Sequence, residues 1–285
     1  MGIYMKPLGF IGGSGLYDIP GMEVVDEKDI STPWGTPSDK VVLGRINGVD
    51  LAFLARHGRG HRLTPTEVNS HANIYALKSC GVEEIIAFSA VGSLREEIAP
   101  LDFVIPNQII DRTRLRDNSY FGEGIVAHVS FADPFCPRLS AIVKKSVEAS
   151  GVAFHEDKTL VVMEGPAFST KAESHIYRSW GADIINMSAL PEAKLAREAE
   201  LCYQMVCMST DYDCWRESEE VVSVEMVIAN LMQNAETAKK VVLDVVSKCG
   251  AERNCGCSTA ARNSVITSKD HWPQETEEKL KFILG

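Results

Sequence analysis

Asp211 and Asp213 stand one residue apart in Ser209-Thr210-Asp211-Tyr212-Asp213-Cys214-Trp215, directly after the apolar, strand-like segment Met205–Met208. Along an extended chain alternate side chains share a face. The spacing therefore predicts two carboxylates looking to one side, where they can face an amino-bearing heterocycle and one of them can protonate a ring nitrogen. The same residues also suit an Asx-turn, because Asp readily bonds its own backbone at a strand end. Both readings stand at this level.

A second group of residues suits an anion. Arg56-His57-Gly58 closes the apolar segment Leu51–Ala55, and Arg59, His61 and Arg62 follow. Arg offers a planar fork of donors matched to phosphate oxygens, and His adds a donor whose charge depends on pH. A solvated basic loop is the competing reading. The glycine-rich run Ile11-Gly12-Gly13-Ser14-Gly15-Leu16 invites comparison with a dinucleotide fingerprint, but Asp18 occupies the third glycine position and Ile19-Pro20-Gly21 interrupts the helix that should follow. No Walker sequence occurs. What remains is a tight turn whose backbone N–H groups and Ser14 hydroxyl suffice for a single phosphate. Ser89-Ala90-Val91-Gly92 and Met187-Ser188-Ala189 also carry a hydroxyl just after an apolar segment. Each could merely cap a turn or a helix. Strand ends along one edge of an α/β sheet form its ligand crevice, however, and one inorganic phosphate would satisfy Ser14, Arg56, His57, Ser89 and Ser188 together.

The elements needed to hold these residues alternate along the chain. Strand-like segments fall at Leu8–Ile11, Val41–Ile46, Leu51–Ala55, Ile85–Ser89, Phe103–Ile105, Leu160–Met163, Ile184–Met187 and Met205–Met208. Helical patterns fall at Val68–Cys80, Arg138–Ser150, Lys171–Trp180, Pro191–Glu200 and Ser223–Ser247, with a short one at Glu275–Leu284. The expectation is an α/β fold, a single domain with a central mixed β-sheet flanked by helices. No linker or repeat divides residues 1–248, and residues 249–285 read as a polar C-terminal arm.

The chain has 285 residues, 45% hydrophobic and 24% charged, with a net charge of −10. That balance opposes a broad nucleic-acid or anionic-membrane surface, so any phosphate site must be local. No apolar run is long enough for a bilayer, and a cytoplasmic protein is expected. The eight cysteines are scattered through core-like segments such as those of Cys80, Cys202 and Cys207, and most read as buried thiols. Cys255-Gly256-Cys257 is a C-x-C without a second pair at zinc-finger spacing, weak grounds for a structural metal. A redox or disulfide role stays open.

Together the motifs Gly12-Gly13-Ser14-Gly15-Leu16, Ala55-Arg56-His57-Gly58, Asn69 to Asn73, Gly92 to Glu97, Glu164-Gly165-Pro166-Ala167-Phe168-Ser169, Asn186-Met187-Ser188 and Thr210 to Trp215 resemble the trimeric purine nucleoside phosphorylase family, in its methylthioadenosine phosphorylase branch. The resemblance runs in register from about residue 8 to 248. It implies phosphate binding by Ser14, Arg56, His57, Ser89, Ala90 and Ser188, a ribose above Met187 and a purine on Phe168. Asp211 and Asp213, with Tyr212 between them, would meet the base. Asp in place of Asn, and Ser169 in place of Glu, favour adenine over 6-oxopurines. Val224 implies an apolar space for a 5'-methylthio group, continued by Val227 and Ile228 on the same helical stripe, and His128 matches a residue lent by a neighbouring subunit. The chain departs from its relatives in carrying Ser rather than Thr at 14, 89 and 188, and Ala167 where many have Arg.

The implied reaction is phosphorolysis of 5'-methylthioadenosine to adenine and 5-methylthioribose 1-phosphate. Phosphate is a co-substrate, and no metal or organic cofactor is required. The implied assembly is a trimer or a dimer of trimers. Three other readings are a broader purine nucleoside phosphorylase, a nicotinamide-dependent oxidoreductase and a catalytically silent nucleoside-binding protein.

Overall fold

In a computed structural model the described residues are 6–13, 16, 19–216, 224–250 and 252–285, with Val224 described by its backbone alone. Nine strands form one mixed sheet: β1 (Leu8–Gly12), β2 (Glu23–Lys28), β3 (Val41–Ile46), β4 (Val49–Ala55), β5 (Glu84–Ser93), β6 (Phe103–Arg112), β7 (Phe154–Met163), β8 (Ile184–Asn186) and β9 (Cys202–Asp211). Their order is β2-β3-β4-β1-β5-β8-β7-β6-β9, and β5 also pairs with β9. The β5 to β9 part therefore closes on itself, and β1, β4, β3 and β2 extend from it as an open wing. The helices are α1 (Ser70–Ser79), α2 (Pro137–Ala149), α3 (Lys171–Ser179), α4 (Glu192–Glu198), α5 (Val224–Val246) and α6 (Gln274–Leu284).

Alternation along the buried strands sorts side chains into two cores. On β5, Ile85 and Ala87 join Leu77 of α1, Leu195 of α4 and Leu280 of α6. Ile86 and Phe88, one residue out of phase, join Val143 of α2 and Val242 and Val245 of α5. With both faces covered the central strands need no polar side, and β9 reads as a continuous buried run from Cys202 to Thr210.

The strand-like segments and helices expected from sequence are present, several strands running longer (β5 to Ser93, β7 from Phe154, β9 from Cys202 to Asp211), with three further differences. β2 was not anticipated: all six of its residues are exposed, so it shows no apolar period and is held by antiparallel pairing to β3. β6 runs on to Arg112 because the register shifts at Pro106, which absorbs the missing N–H. Residues 249–285 return onto the body: Leu280 and Ile283 are buried in the core, Lys78 Nζ donates to the Ile283 carbonyl at 2.7 Å, and Val265 bridges Ala127. Among the described residues no helix is long and apolar enough to cross a membrane.

Candidate active site

β1, β4, β5 and β9 are mutually parallel where they pair, so their C-terminal ends share one edge. A cavity of about 480 Å³ opens there, lined by residues from all four strand ends, from the turn after β8 and from the start of α5. The glycine turn, the Arg56-His57 turn, the Ser89 and Ser188 hydroxyls and the Asp pair are thereby gathered from distant parts of the chain.

Both Asp211 and Asp213 line this cavity. Strict strand alternation is not the reason, because β9 ends at Asp211 and Asp213 has φ +50 in the turn beyond. The Asp213 N–H donates to Asp211 Oδ1 at 2.8 Å, which is the Asx-turn, and the turn itself swings Asp213 onto Asp211's side. The Asx-turn and the one-sided placement of the pair thus occur together, without the strand alternation. The Thr210 hydroxyl donates to Asp211 Oδ2 at 2.7 Å. Gly92, beside Asp211 in the β5–β9 ladder, leaves room for the pair: a Cβ there would lie 3.1 Å from Asp211 Oδ1 and 3.4 Å from Asp213 Cβ. Burial raises the pKa of Asp211 above its ordinary 3.8, against the two hydrogen bonds that favour its charged form. Burial also raises Asp213, with the Asp211 charge adding to the shift. A raised pKa moves a carboxyl toward the proton-donating role.

The lining is also rich in hydroxyls. Ser89 Oγ and Ser188 Oγ lie 2.8 Å apart, and either can donate. Asn186 Nδ2 donates to each at 3.3 Å, and Asn186 Oδ1 accepts from the Ser188 N–H at 3.4 Å. This carboxamide, buried at the end of β8, fixes the turn that carries Ser188. Ala90 is part of the same lining.

The guanidinium of Arg56 is held from within the fold. Its Nε and Nη2 donate to the two carboxylate oxygens of Glu192 at 2.9 and 3.0 Å, and Nη1 donates to the Phe88 carbonyl at 2.8 Å. Tyr203, whose hydroxyl burial keeps protonated, donates to Glu192 Oε1 at 2.6 Å. Arg56 is 3% exposed and still lines the cavity, so its positive charge there is balanced from behind by Glu192. His57 is shaped by its surroundings in the same way. Burial, and then the Arg56 charge, lower its pKa from 6.5 to about 4, so the ring is neutral at pH 7. Its Nδ1 lies 2.9 Å from the Leu63 carbonyl, which can only accept. The proton is therefore on Nδ1, and Nε2 is the ring's acceptor. His61 stacks on His57 with centroids 4.4 Å apart.

Much of the rest of the lining is apolar. Met187 forms part of it, and the backbone at its base is held by Arg116, which donates to the carbonyls of Met187, Leu190 and Glu164 at 2.5, 2.6 and 2.5 Å and to Glu164 Oε1 at 3.1 Å. Val227, Leu231 and Ala235, four residues apart on α5, present one stripe to the cavity. Phe168 lies at the rim, 67% exposed.

Four expected contacts are not made within the single chain. Ser169 lies behind the lining, its hydroxyl directed at Met163 Sδ, and Tyr212 packs edge-on against Trp215 with its hydroxyl 3.4 Å from the Glu96 carbonyl. Ile228 turns outward, 53% exposed, because one residue beyond Val227 is about 100° round the helix. His128 is exposed in a segment whose N–H donates to the Ser264 carbonyl. Ser14 and the side chain of Val224 lie outside the described residues.

Sequence reasoning assigned no role to Asn186, Glu192, Arg116 or Thr210. Asn186 and Thr210 sit inside motifs already singled out, whereas Glu192 and Arg116 act across 136 and about 50–70 residues of chain.

A sequence profile of the Phosphorylase superfamily matches residues 7–247. The S-methyl-5'-thioadenosine phosphorylase of Koribacter versatilis is 55% identical over 278 residues, covering 98% of this chain and 95% of its own length. That of Schizosaccharomyces pombe is 52% identical over 290 residues, covering 97% and 94%. This coverage carries the likeness into residues 249–285, which the sequence motifs had left out. A methylthioadenosine phosphorylase sourced from an antarctic soil metagenomic library superposes with a TM-score of 0.94 at 46% identity over 99% of both chains. The methylthioadenosine phosphorylase from Schistosoma mansoni, in complex with adenine, superposes with a TM-score of 0.86 at 36% identity, covering 93% of this chain and 99% of its own.

Proposed function

Because this chain belongs to the phosphorylase superfamily and, within it, to the S-methyl-5'-thioadenosine phosphorylases, we propose the following division of labour in its cavity. The activity is phosphorolysis of 5'-methylthioadenosine to adenine and 5-methylthioribose 1-phosphate, a pentosyl transfer. The observation that carries the assignment of roles is the pair of half-buried carboxyls, their pKa raised, in one cavity with a cluster of hydroxyls and with Arg56 and His57.

Asp211 faces N7 of the adenine and Asp213 accepts from its 6-amino group. Phosphate lies against Ser89, Ser188 and the backbone of Ala90, with Arg56 behind it, Ser14 on the glycine turn, and His57 Nε2 accepting from the protonated phosphate oxygen. Methylthioadenosine lies between, its ribose over Met187 and its purine against Phe168, with Ser169 and Tyr212 backing the base subsite. A phosphate oxygen attacks C1', the C1'–N9 bond breaks with its electron pair to the purine, and Asp211 gives the proton that neutralises the leaving adenine at N7. As the bond breaks, the phosphate also stabilises the positive charge developing on the ribose. Holding both reactants in one cavity supplies the orientation term.

Adenine is preferred over 6-oxopurines because an acceptor at Asp213 pairs with an amino group and is left unpaired by a carbonyl, which a buried site penalises. The 5'-methylthio group occupies the apolar end beside Val224, Val227, Leu231 and Ala235, where a 5'-hydroxyl would lose its hydrogen bonds. Ile228 lies on the outer side of the same helix, toward a neighbouring subunit that lends His128. The assembly is a homotrimer, alone or paired into a hexamer, working in the cytoplasm without metal or organic cofactor in the reaction and without nucleic-acid or membrane partners.

The test is a panel of methylthioadenosine, adenosine and inosine, with and without phosphate, following release of the base spectroscopically. Release of adenine from methylthioadenosine that needs phosphate, with inosine inert, is expected. Turnover of inosine on a par with methylthioadenosine would overturn the role of the Asp pair in selecting the base. Release independent of phosphate would overturn the anion site.

A further inference from the structure

Cys136, Cys202, Cys255 and Cys257 come from three separate parts of the chain and meet at the end of the sheet remote from the cavity. Cys136 is the residue before α2, Cys202 opens β9, and Cys255 and Cys257 flank Gly256 at the start of a 3-10 turn in the C-terminal arm. Their four Sγ atoms all lie within 4.8 Å of one another. Cys202 Sγ and Cys255 Sγ are 3.3 Å apart, and all four thiols are free. A tetrahedral zinc ion with Zn–S bonds of about 2.3 Å sets its sulfurs about 3.8 Å apart. The cluster thus has the size of that polyhedron, and small rotations of the side chains bring it to the ideal edges.

Three further features fit a metal. Cys136 occupies the N-cap of α2 but makes no side-chain cap hydrogen bond, so its sulfur is directed elsewhere. Cys136, Cys202 and Cys257 are buried and Cys255 is half-buried, so that, among the described residues, the four sulfurs form a closed set with no open position for a substrate. The cluster also lies among apolar side chains of the core shared by α2 and α5, where four uncharged thiols gain only weak bonds from one another.

The geometry points to a structural zinc site in which Cys136, Cys202, Cys255 and Cys257 bind one Zn²⁺ as thiolates, tying the C-terminal arm to the first residue of β9 and the head of α2. Binding releases the thiol protons to solvent and changes no oxidation state. The site is separate from the phosphorolysis described above: Cys202 and Asp211 are opposite ends of the ten-residue β9, about 30 Å apart at the rise of an extended chain. The C-x-C pair alone gave little sign of it, because its two partners lie 53 and more than 100 residues away in sequence.

The chain is to be produced in zinc-supplemented medium, purified without chelator, and its metal measured by plasma emission. One zinc per chain is expected, and little in the Cys255→Ser/Cys257→Ser double variant. The native chain, stripped, reduced under argon and given Co²⁺, should develop the visible ligand-field and near-ultraviolet thiolate charge-transfer bands of tetrahedral S4 cobalt, so the result does not depend on a variant folding. Chelation should lower the melting temperature of the native chain and leave that of the double variant where it is. A fully reduced native chain that takes up neither zinc nor cobalt overturns the site. So does purified protein whose four cysteines are paired as disulfides and which, once reduced, still binds no metal.

Discussion

The Thr210 hydroxyl and the Asp213 N–H both favour a charged Asp211, yet burial outweighs them and raises its pKa. Asp211→Asn keeps the shape and one of the two acceptor positions, through its carboxamide oxygen, but an amide supplies no proton to the leaving base. Turnover of methylthioadenosine should therefore fall by roughly 10²–10⁴-fold, the usual worth of positioned acid–base help; near-normal turnover in the folded variant would take Asp211 out of that role. His57 carries a pH prediction. Its folded pKa is about 4 against an ordinary 6.5, so between those values the unfolded chain holds more protons than the folded one. Stability contributed by the neutral ring is complete above pH 6.5 and is lost as pH falls through the window toward 4. Denaturant titrations from pH 7 to 4 should show a decline that His57→Asn flattens, and parallel curves for the two proteins would contradict it. Arg56 answers to two demands at once. Because Glu192 is fully buried against it, Arg56→Ala strands a carboxylate and should cost about 3–5 kcal/mol of stability. The same change should raise KM for phosphate more than KM for the nucleoside, and equal rises would remove Arg56 from the anion wall.

At the level of elements the site depends on how β5, β8 and β9 lie against one another. Gly92 is where this is tightest, since a Cβ would come 3.1 Å from Asp211 Oδ1 and 3.1 Å from Ile185 Cγ2 of β8. Gly92→Ala must push these neighbours by a few tenths of an ångström. It should lower kcat for methylthioadenosine about tenfold while costing roughly 1–3 kcal/mol in stability, the range for overpacking a filled interior; unchanged kcat would mean that the Asp pair tolerates movement. The strands that support the site were legible because β1, β4, β5 and β9 are buried on both faces and so read as apolar runs. β2 was not, because pairing to β3 holds it without any buried side chain. Asp211 and Asp213 were legible as a pair through their spacing, although a turn with positive φ at Asp213, not alternation, brings them together. The charge states were not legible. Sequence shows Arg56 as a cation and His57 as a donor whose charge depends on pH, whereas the fold brings Glu192 from 136 residues away to balance the first, and burial beside Arg56 keeps the second neutral. Arg116 was invisible for the same reason, since its value lies in backbone carbonyls near Met187 that no side-chain pattern records.

For the whole molecule, the mouth of the cavity is apolar and open. Phe168 at its rim is 67% exposed, and on α5 Ile228 and Met232 are 53% and 65% exposed beside the stripe that faces inward. Large side chains left in water around the site that must bind an apolar methylthio group suit a surface closed by another subunit. His128 is exposed and its segment is pinned by the Ser264 carbonyl and the Val265 bridge, so it is held out from the body on a firm support. If a neighbour's His128 completes the site, sedimentation should find three chains of 31.3 kDa, or six, and no active monomer. His128→Ala should lower kcat/KM for methylthioadenosine, and Asp211→Asn should nearly abolish turnover. Each lesion strikes a different part of a shared site. Mixing the two variants after reversible dissociation then yields some sites with both lesions and some with neither, and the latter work at the native rate. Activity of the mixture should exceed the mean of the two parents, most clearly at low substrate. Parents that simply average, or a monomer with full activity, would mean that each chain completes its own site and that the exposed apolar rim serves some other contact.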